Sequence, residues 1–462
     1  MTPISIGIRR ELFLDNFLID TLQKAHLQLA HPERREVVFE ADAPWEDGAF
    51  NVYSTVPQGK NVRLYYRASI PDLKEEKQAV FGHAESSDGG KSFTRTALGL
   101  HDFKGSKDNN IIWQGAACAF PAAFIDTNPA CPAHARYKGL ASEWEKLFAM
   151  RSADGIHWHL MRDETVSMPG TFDSINTAFW DGQARCYRSY TRYFNKAWMA
   201  PAPAKNSLGV RCIQMSTSQD FVNWTAPLPL QYEDGDEITQ LYTNSIIPCP
   251  GAEHIYLGFP NRFVEERIKS PDQPWTGVND ALFMASRDGV RFTRYRDAWV
   301  RPGLDSRNWT SRNNYPSWNI IQTSPDEWSV LISEHYMQRD RVPVRLRRLA
   351  IRPWGFVSVH SGFDGGEMVT KPITFGGNHL HLNYSTSAAG AIQAEIQDEK
   401  GKTIPGYGLQ DMAPLYGDEL DTVIAWRNGS DLSSLAGKAI RLRFVLKDAD
   451  LFALRFTDAN QN

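Results

Sequence analysis

The chain has 462 residues, with 50 Lys and Arg against 54 Asp and Glu, a formal charge of −4 and a pI near 6.3. That balance removes nucleic acid and anionic membrane surfaces from the expected partners. The length allows a large core and more than one domain, and no apolar run is long enough for a membrane-spanning helix.

The five cysteines form no CxxC and no compact Cys/His cluster, which argues against structural zinc. Their odd number argues against a full disulfide framework. Fourteen Trp, 16 Tyr and 24 Phe supply rings for packing between sheets or for stacking on sugar faces.

The chain opens with MTPISIGIRRELFLDNF, which lacks the apolar stretch of a signal peptide. This is expected of a cytoplasmic protein, or of a secreted one whose signal has been removed. FNVYSTV and VRLYYRAS then read as strands separated by the turn PQGKN. AVFGHAESSDGGKSFTR carries the first copy of a motif that recurs as SADGIHW, STSQDFVNW and SRDGVRF. Each copy has a Ser two residues before an Asp, with an aromatic residue four or five positions beyond the Asp.

The aspartates are Asp88, Asp154, Asp220 and Asp288, at intervals of 154 − 88 = 66, 220 − 154 = 66 and 288 − 220 = 68. A fixed period of this length suits a four-stranded propeller blade. Ser and Asp can bond backbone amides in a tight turn, and Gly can take a positive φ. The motif is therefore read as a turn-and-packing device on the outer strands, and its aspartates are not catalytic candidates.

INTAFW with ARCYRSYTR, and SIIPCPGAEHIYLGFPNRF with DALFMASRDGVRFTRY, repeat the strand grammar. NIIQTSPDEWSVLISEHYM with VRLRRLAIR supplies a fifth set. The prediction is an all-β chain: a five-bladed propeller with its blades over roughly 40–350, completed or closed by the segment before residue 40. Beyond residue 352 the alternation in HLHLNYST, AIQAEIQDEKGKTIPGY and AIRLRFVLKDADLFALRF predicts a β-sandwich over 353–462, leaving 1–352 to the propeller.

In a propeller the innermost strands line a central funnel, and here a polar group recurs just before each of them. Blade 1 offers Glu46, Asp47 and Asn51. Blade 2 offers Asn110, blade 3 Asp173 and Asn176, blade 4 Glu237, Tyr242 and Asn244, and blade 5 Arg312, Asn314 and Tyr315. A later strand of blade 5 adds Glu334 and His335. Donors and acceptors of this kind suit sugar hydroxyls, and glycoside cleavage needs two carboxyl groups.

Asp173, paired with Glu46 or Glu334, is the expected acid/base set, with Glu237 and Asp47 as substitutes. Asn51, Asn110, Asn176, Tyr242, Asn244, Arg312, Asn314, Tyr315 and His335 are the expected substrate contacts. Against these stand plainer roles: a turn-capping Asp173, a solvated loop Glu46, a Glu334 salt-bridged to Arg339 or Arg341, and a structural His335.

The blade grammar and the S-x-D motifs resemble the five-bladed propeller glycosidases of glycoside hydrolase families 32, 43, 68, 117 and 130. ELFLDNFLID, APWEDGAFNVY, FIDTNPACPAHARYKGL and FDSINTAFWD are similar to a bacterial set described as glycosidase-like propeller proteins. The resemblance implies one acidic residue from blade 1, one from blade 2 and a Glu from blade 3. Here blade 3 has Asp173, and the N-D-P-N and R-D-P signatures of family 32 are missing, which argues against sucrose or fructan cleavage.

The expectation is a glycoside hydrolase, exo-acting on a plant or algal type of glycan. The alternatives are a non-catalytic sugar-binding propeller, or a polysaccharide lyase using Tyr242, Tyr315 or His335. No redox cofactor is expected; funnel oxygens could hold a calcium ion. Nothing in the sequence marks an oligomeric state.

Overall fold

The computed structural model describes residues 2–46, 50–69, 79–115, 117–143, 145–197, 208–233, 235, 238–269, 276–336 and 342–458. The chain is all-β and forms two units. One comprises Pro32–Cys249 and Glu253–Ile351; the other comprises Met1–His31, Pro250–Ala252 and Arg352–Asn462.

The first unit is the five-bladed propeller. Blade 1 has strands Asn51–Gln58, Asn61–Ser69, Ala79–Ser86 and Ile111–Gln114, and blade 2 has Ala119–Ile125, Tyr137–Glu143, Lys146–Ser152 and Trp158–Leu160. Blade 3 has Thr177–Asp181, Cys186–Asn195, Val210–Ser218 and Leu228–Pro229. Blade 4 is built on Ile247–Cys249, Ala252–Gly258, Val278–Ser286 and Arg291–Val300.

Blade 5 takes Ile321–Ser324, Glu327–Glu334 and Arg345–Ile351 from its own stretch of chain and a fourth strand, Glu33–Glu40, from the N-terminal region. This last pairing, antiparallel with Arg345 opposite Glu40, closes the ring and covers an open sheet edge.

Ring closure falls to Glu33–Glu40 alone. The sequence reading also gave ELFLDNFLI and HLQLAH to the ring, whereas their strands Glu11–Leu12, Ile19–Gln23 and His26–Leu29 pair with Ile440–Thr457, Gly366–Thr370 and Val357–Ser361 in the second unit. Strand propensity identifies an edge that needs a partner but not which sheet supplies it.

The second unit is the β-sandwich. Two long strands, His379–Asp398 and Ile440–Thr457, pair along their lengths. Their register breaks between Thr386 and Ala391, and Asp448 lies in the left-handed region nearby. Each half of this ribbon carries its own partner strands. Phe375 stacks on Phe456 at 3.8 Å within a core that includes Leu382, Ile396, Leu442 and Phe444.

The repeated motif occupies the same place in four blades. Ser86, Ser152, Ser218 and Ser286 each end the third strand. In blade 2, Ser152 Oγ accepts from the amides of Asp154 and Gly155, and Asp154 Oδ1 accepts from those of Ile156 and His157, at 2.9–3.3 Å. Blades 3 and 4 repeat this bonding, and blade 1 repeats it one residue further along, with Gly90 donating to Ser86 Oγ and Lys91 and Ser92 to Asp88 Oδ1. Trp158 and Phe292 follow as buried wedges.

The turn also joins blades. Tyr65 of blade 1 donates to the Gly155 carbonyl at 3.0 Å, and Tyr190 of blade 3 to that of Gly289 at 2.9 Å. The residue after the Asp has φ near +80° in three copies, where it is Gly89, Gly155 or Gly289; in blade 3 it is Phe221, at φ 68°. Phe221 packs against Phe124, Tyr187 and Trp224, and this packing offsets the strain of a left-handed aromatic residue.

Candidate functional site

Most of the polar residues before the inner strands are buried and spent on the fold. Glu46 ends a tight turn, is 1% exposed, and accepts from Arg95 at 2.9 and 2.6 Å and from the Tyr66 hydroxyl. Burial, with Glu46 beside it, pushes the Tyr66 phenol well above its ordinary value. Asn110 completes the network, donating to Tyr66 Oη and to the His83 carbonyl at 2.6 Å and accepting from Trp45 Nε1 at 2.8 Å. Glu46 is therefore neither a solvated loop carboxylate nor a free acid, and Asn110 is a strut within blade 1.

Glu334 is also 1% exposed. Its carboxylate accepts from Arg345 at 2.8 Å, from Arg347 at 3.0 and 3.1 Å, and from Arg34 of the closing strand. The ion pair foreseen with Arg339 or Arg341, both outside the described residues, is made by these three arginines. His335 lies at φ 66° and holds Asp305 through Nε2 at 2.7 Å. Both residues fasten blade 5.

Asn176 Nδ2 donates to the carbonyls of Phe172 and Ser174, and Asn314 Nδ2 to those of Asn279 and Asn308. Asn244 accepts from Thr177 Oγ1 and donates to the carbonyls of Ile175 and Tyr190, so it ties blade 4 to blade 3. The three are at most 2% exposed, so the structure makes them locks within and between blades in place of the expected substrate contacts. Asp47, Glu237 and the side chain of Asn51 lie outside the described residues.

The structure does gather Asp173, Tyr242, Arg312 and Tyr315. Asp173 precedes the inner strand of blade 3 and is ion-paired with Arg192, which sits near the end of that blade's second strand. Tyr242, held by its amide to the Asn261 carbonyl at 2.7 Å, precedes the inner strand of blade 4. The Arg192 and Arg211 guanidinium carbons lie 5.3 and 4.9 Å from the centre of its ring, and the Tyr315 ring is 5.7 Å away. Arg312, at φ 66°, donates to Tyr336 Oη at 3.1 Å.

Burial pushes the Tyr242 phenol up, but Arg312, Arg192 and Arg211 pull harder, and the net shift is below the ordinary 10. Arg312 is held above its ordinary 12.5: burial lowers it, and Tyr336, Tyr242 and Tyr315 outweigh burial.

Arg192, Arg211 and Glu143 escaped the sequence reading. They lie within strands whose β-branched and aromatic residues dominate the pattern. The signal that could have found them is an arginine inside an otherwise apolar run, as in YRSYTRYF and GVRCIQM.

Asp173 and Arg211 line a cavity of about 590 Å³ with Glu143, Glu145, Lys146 and Phe194. These residues come from the loops and strand ends where the inner strands of blades 2 and 3 begin. A cavity of about 790 Å³ beside Tyr193, Cys212 and Tyr232 contains none of the expected site residues. Among the described residues, no group of three or more His, Cys, Asp or Glu side chains is placed to hold a metal ion.

No family model and no curated protein matches the chain. Among solved structures, it is similar to an N-acetylgalactosamine deacetylase from F. plautii in complex with blood group B trisaccharide, at 12% identity and a TM-score of 0.45, over 71% of this chain and 95% of that one. It is similar to a member of the GH130 family of mannoside phosphorylases, a family containing hydrolases that target β-1,2 mannosidic linkages in Candida mannan (14%, 0.40, 71% and 95%). A third similar structure is an α-L-arabinofuranosidase from Fusarium graminearum in complex with an iminosugar inhibitor (11%, 0.40, 71% and 99%).

Proposed function

We propose that the protein is a glycoside hydrolase working in the cavity above blades 2 and 3. The observation that carries this reading is the set of carboxylates lining one cavity: Asp173 with Glu143 and Glu145, together with Phe194. Glycoside cleavage asks for two carboxyl groups flanking the scissile bond, one giving a proton and one ionised. Asp173, ion-paired with buried Arg192, suits the ionised role of base or nucleophile. Glu143, which lines the same cavity and lies 3.8 Å from Lys146 Nζ, is the second carboxyl of the pair.

The leaving sugar would depart with that proton through an oxocarbenium-like state, and water would complete the reaction. A confined cavity of about 590 Å³ suits action at the ends of plant or algal glycan chains.

The test is a panel of plant and algal oligosaccharides, with and without EDTA, with products weighed by mass spectrometry. Products whose masses sum to the substrate plus one water, and which disappear in Asp173→Asn and Glu143→Gln, support the reading. Activity intact in both variants refutes the assignment.

A second reading, a polysaccharide lyase, is favoured by Tyr242, a phenol drawn below its ordinary value among three arginines. A lyase removes the proton beside a uronate carboxylate, for which a Tyr base with Arg partners is suited. It would give a product absorbing in the ultraviolet and lose turnover in Tyr242→Phe.

A further inference from the structure

We infer that the cavity takes a sugar bearing an oxyanion, a carboxylate or a sulfate, which Arg192 and Arg211 hold beside Tyr242. The inference rests on the glycan-cleaving reading above and names its substrate class.

The first argument is charge. Arg192 is 3% exposed and, among the described residues, meets one carboxylate, that of Asp173. Arg211 spends Nη1 on the neutral amide oxygen of Gln240, at 2.6 Å, and meets no carboxylate among the described residues. Among the described residues the two guanidinium groups thus have one directly paired carboxylate, with Glu143 and Glu145 elsewhere on the cavity lining, and a buried guanidinium disfavours an unbalanced charge. Burial lowers Arg192 from its ordinary 12.5 to about 10, with Tyr242 opposing and Arg211 adding to the fall.

The second argument is unmet donors. Arg192 Nε and Nη1 and Arg211 Nε are buried without an acceptor among the described residues. Buried donors of this kind are nearly always satisfied, and a guanidinium is built to give two parallel bonds to an oxyanion.

The third is position. Both guanidinium groups lie over the Tyr242 ring, and Arg211 lines the same cavity as Asp173 and Glu143. A sugar seated there would present its acidic substituent to Arg211, with Arg192 on the same Tyr242 ring, and its glycosidic oxygen to the carboxylates.

The experiment uses the whole protein and matched monosaccharides: galacturonic and glucuronic acids, their methyl esters, galactose 6-sulfate and galactose. Binding is read by saturation-transfer NMR and, for oligosaccharides that are cleaved, by kcat and KM. The acids or the sulfate should bind at least about tenfold more tightly than the neutral partners, and which of them does so separates carboxylate from sulfate. Arg211→Gln should bring acid and ester to the same level, mainly through KM, with the melting temperature unchanged. Arg211→Lys should restore part of the preference.

Acid and ester binding equally, no acidic sugar binding at all, or a preference that survives Arg211→Gln would each overturn the inference. Selective binding of acidic sugars with no turnover on any oligosaccharide sinks the hydrolase and upholds the anion site. Equal cleavage of neutral and acidic oligosaccharides does the reverse.

Discussion

Replacing Glu334 with Gln separates a ring clasp from a catalytic acid. The carboxylate is buried and receives Arg34, Arg345 and Arg347, whose side chains are 31, 24 and 19% exposed. Removing one partner of a fully buried ion pair costs about 3–5 kcal/mol. Partial exposure of the arginines screens part of this, and Gln keeps one acceptor oxygen, so about 2–3 kcal/mol is expected. For a domain of this size that is a fall of roughly 4–8 °C in melting temperature.

The pH dependence follows from the direction of the shift. Burial pushes the Glu334 carboxyl up, but Arg347, Arg345 and Arg34 outweigh burial and hold it below its ordinary 4.5. Because the folded value lies below the unfolded one, the stabilisation is fully present above the unfolded value. It is lost as pH falls through the folded value. The variant has no such titration, so the gap between the two proteins should be wide at pH 7 and close below about pH 4.5. Thermal unfolding followed by near-ultraviolet circular dichroism from pH 3 to 8 measures this. Equal melting temperatures at pH 7, with turnover abolished in Glu334→Gln, would refute the clasp and return Glu334 to the catalytic set.

Asp173→Asn should lower turnover by at least about 100-fold, the usual scale for an acid or base, and should also lower the melting temperature, because buried Arg192 loses its paired carboxylate. Glu46→Gln should cost about 2–3 kcal/mol in urea unfolding because Arg95 and Tyr66 lose a charged acceptor, while turnover is retained. Gly155→Ala should destabilise by more than about 1 kcal/mol: φ is +79°, and an added Cβ would press on Arg63 and Tyr65 of blade 1. Phe221→Gly relieves a positive φ but empties a fully buried aromatic site, so a net loss of about 2–4 kcal/mol is expected; a gain would mean that strain, not packing, dominates there.

The propeller was legible because its signals are local and periodic. The S-x-D turns need only their own few residues, and each copy forms the bonds that its side chains allow. The register of Asp88, Asp154, Asp220 and Asp288 therefore marked four blades, and strand patterning alone marked the fifth. Ring closure was not legible to the same degree, because Glu33–Glu40 and His26–Leu29 are both strand-like and differ only in which distant sheet they meet.

The roles of the polar residues before the inner strands were not legible. A polar residue before an apolar strand looks the same whether it faces substrate or a neighbouring blade. Asn244 and Asp173 open inner strands alike, yet Asn244 has a partner for each polar group inside the ring, while Asp173 meets a single arginine at a cavity wall. A propeller brings five strand starts together, and each start exposes backbone amides and carbonyls that its neighbours cannot pair by sheet bonding. Asn, Ser and Thr at those positions satisfy that need first. Chemistry is then left to the residues whose charge exceeds what the ring requires. In the proposed site those are Asp173 and Glu143 with Arg192 and Arg211, and hydrophobic patterning hides the two arginines inside strands.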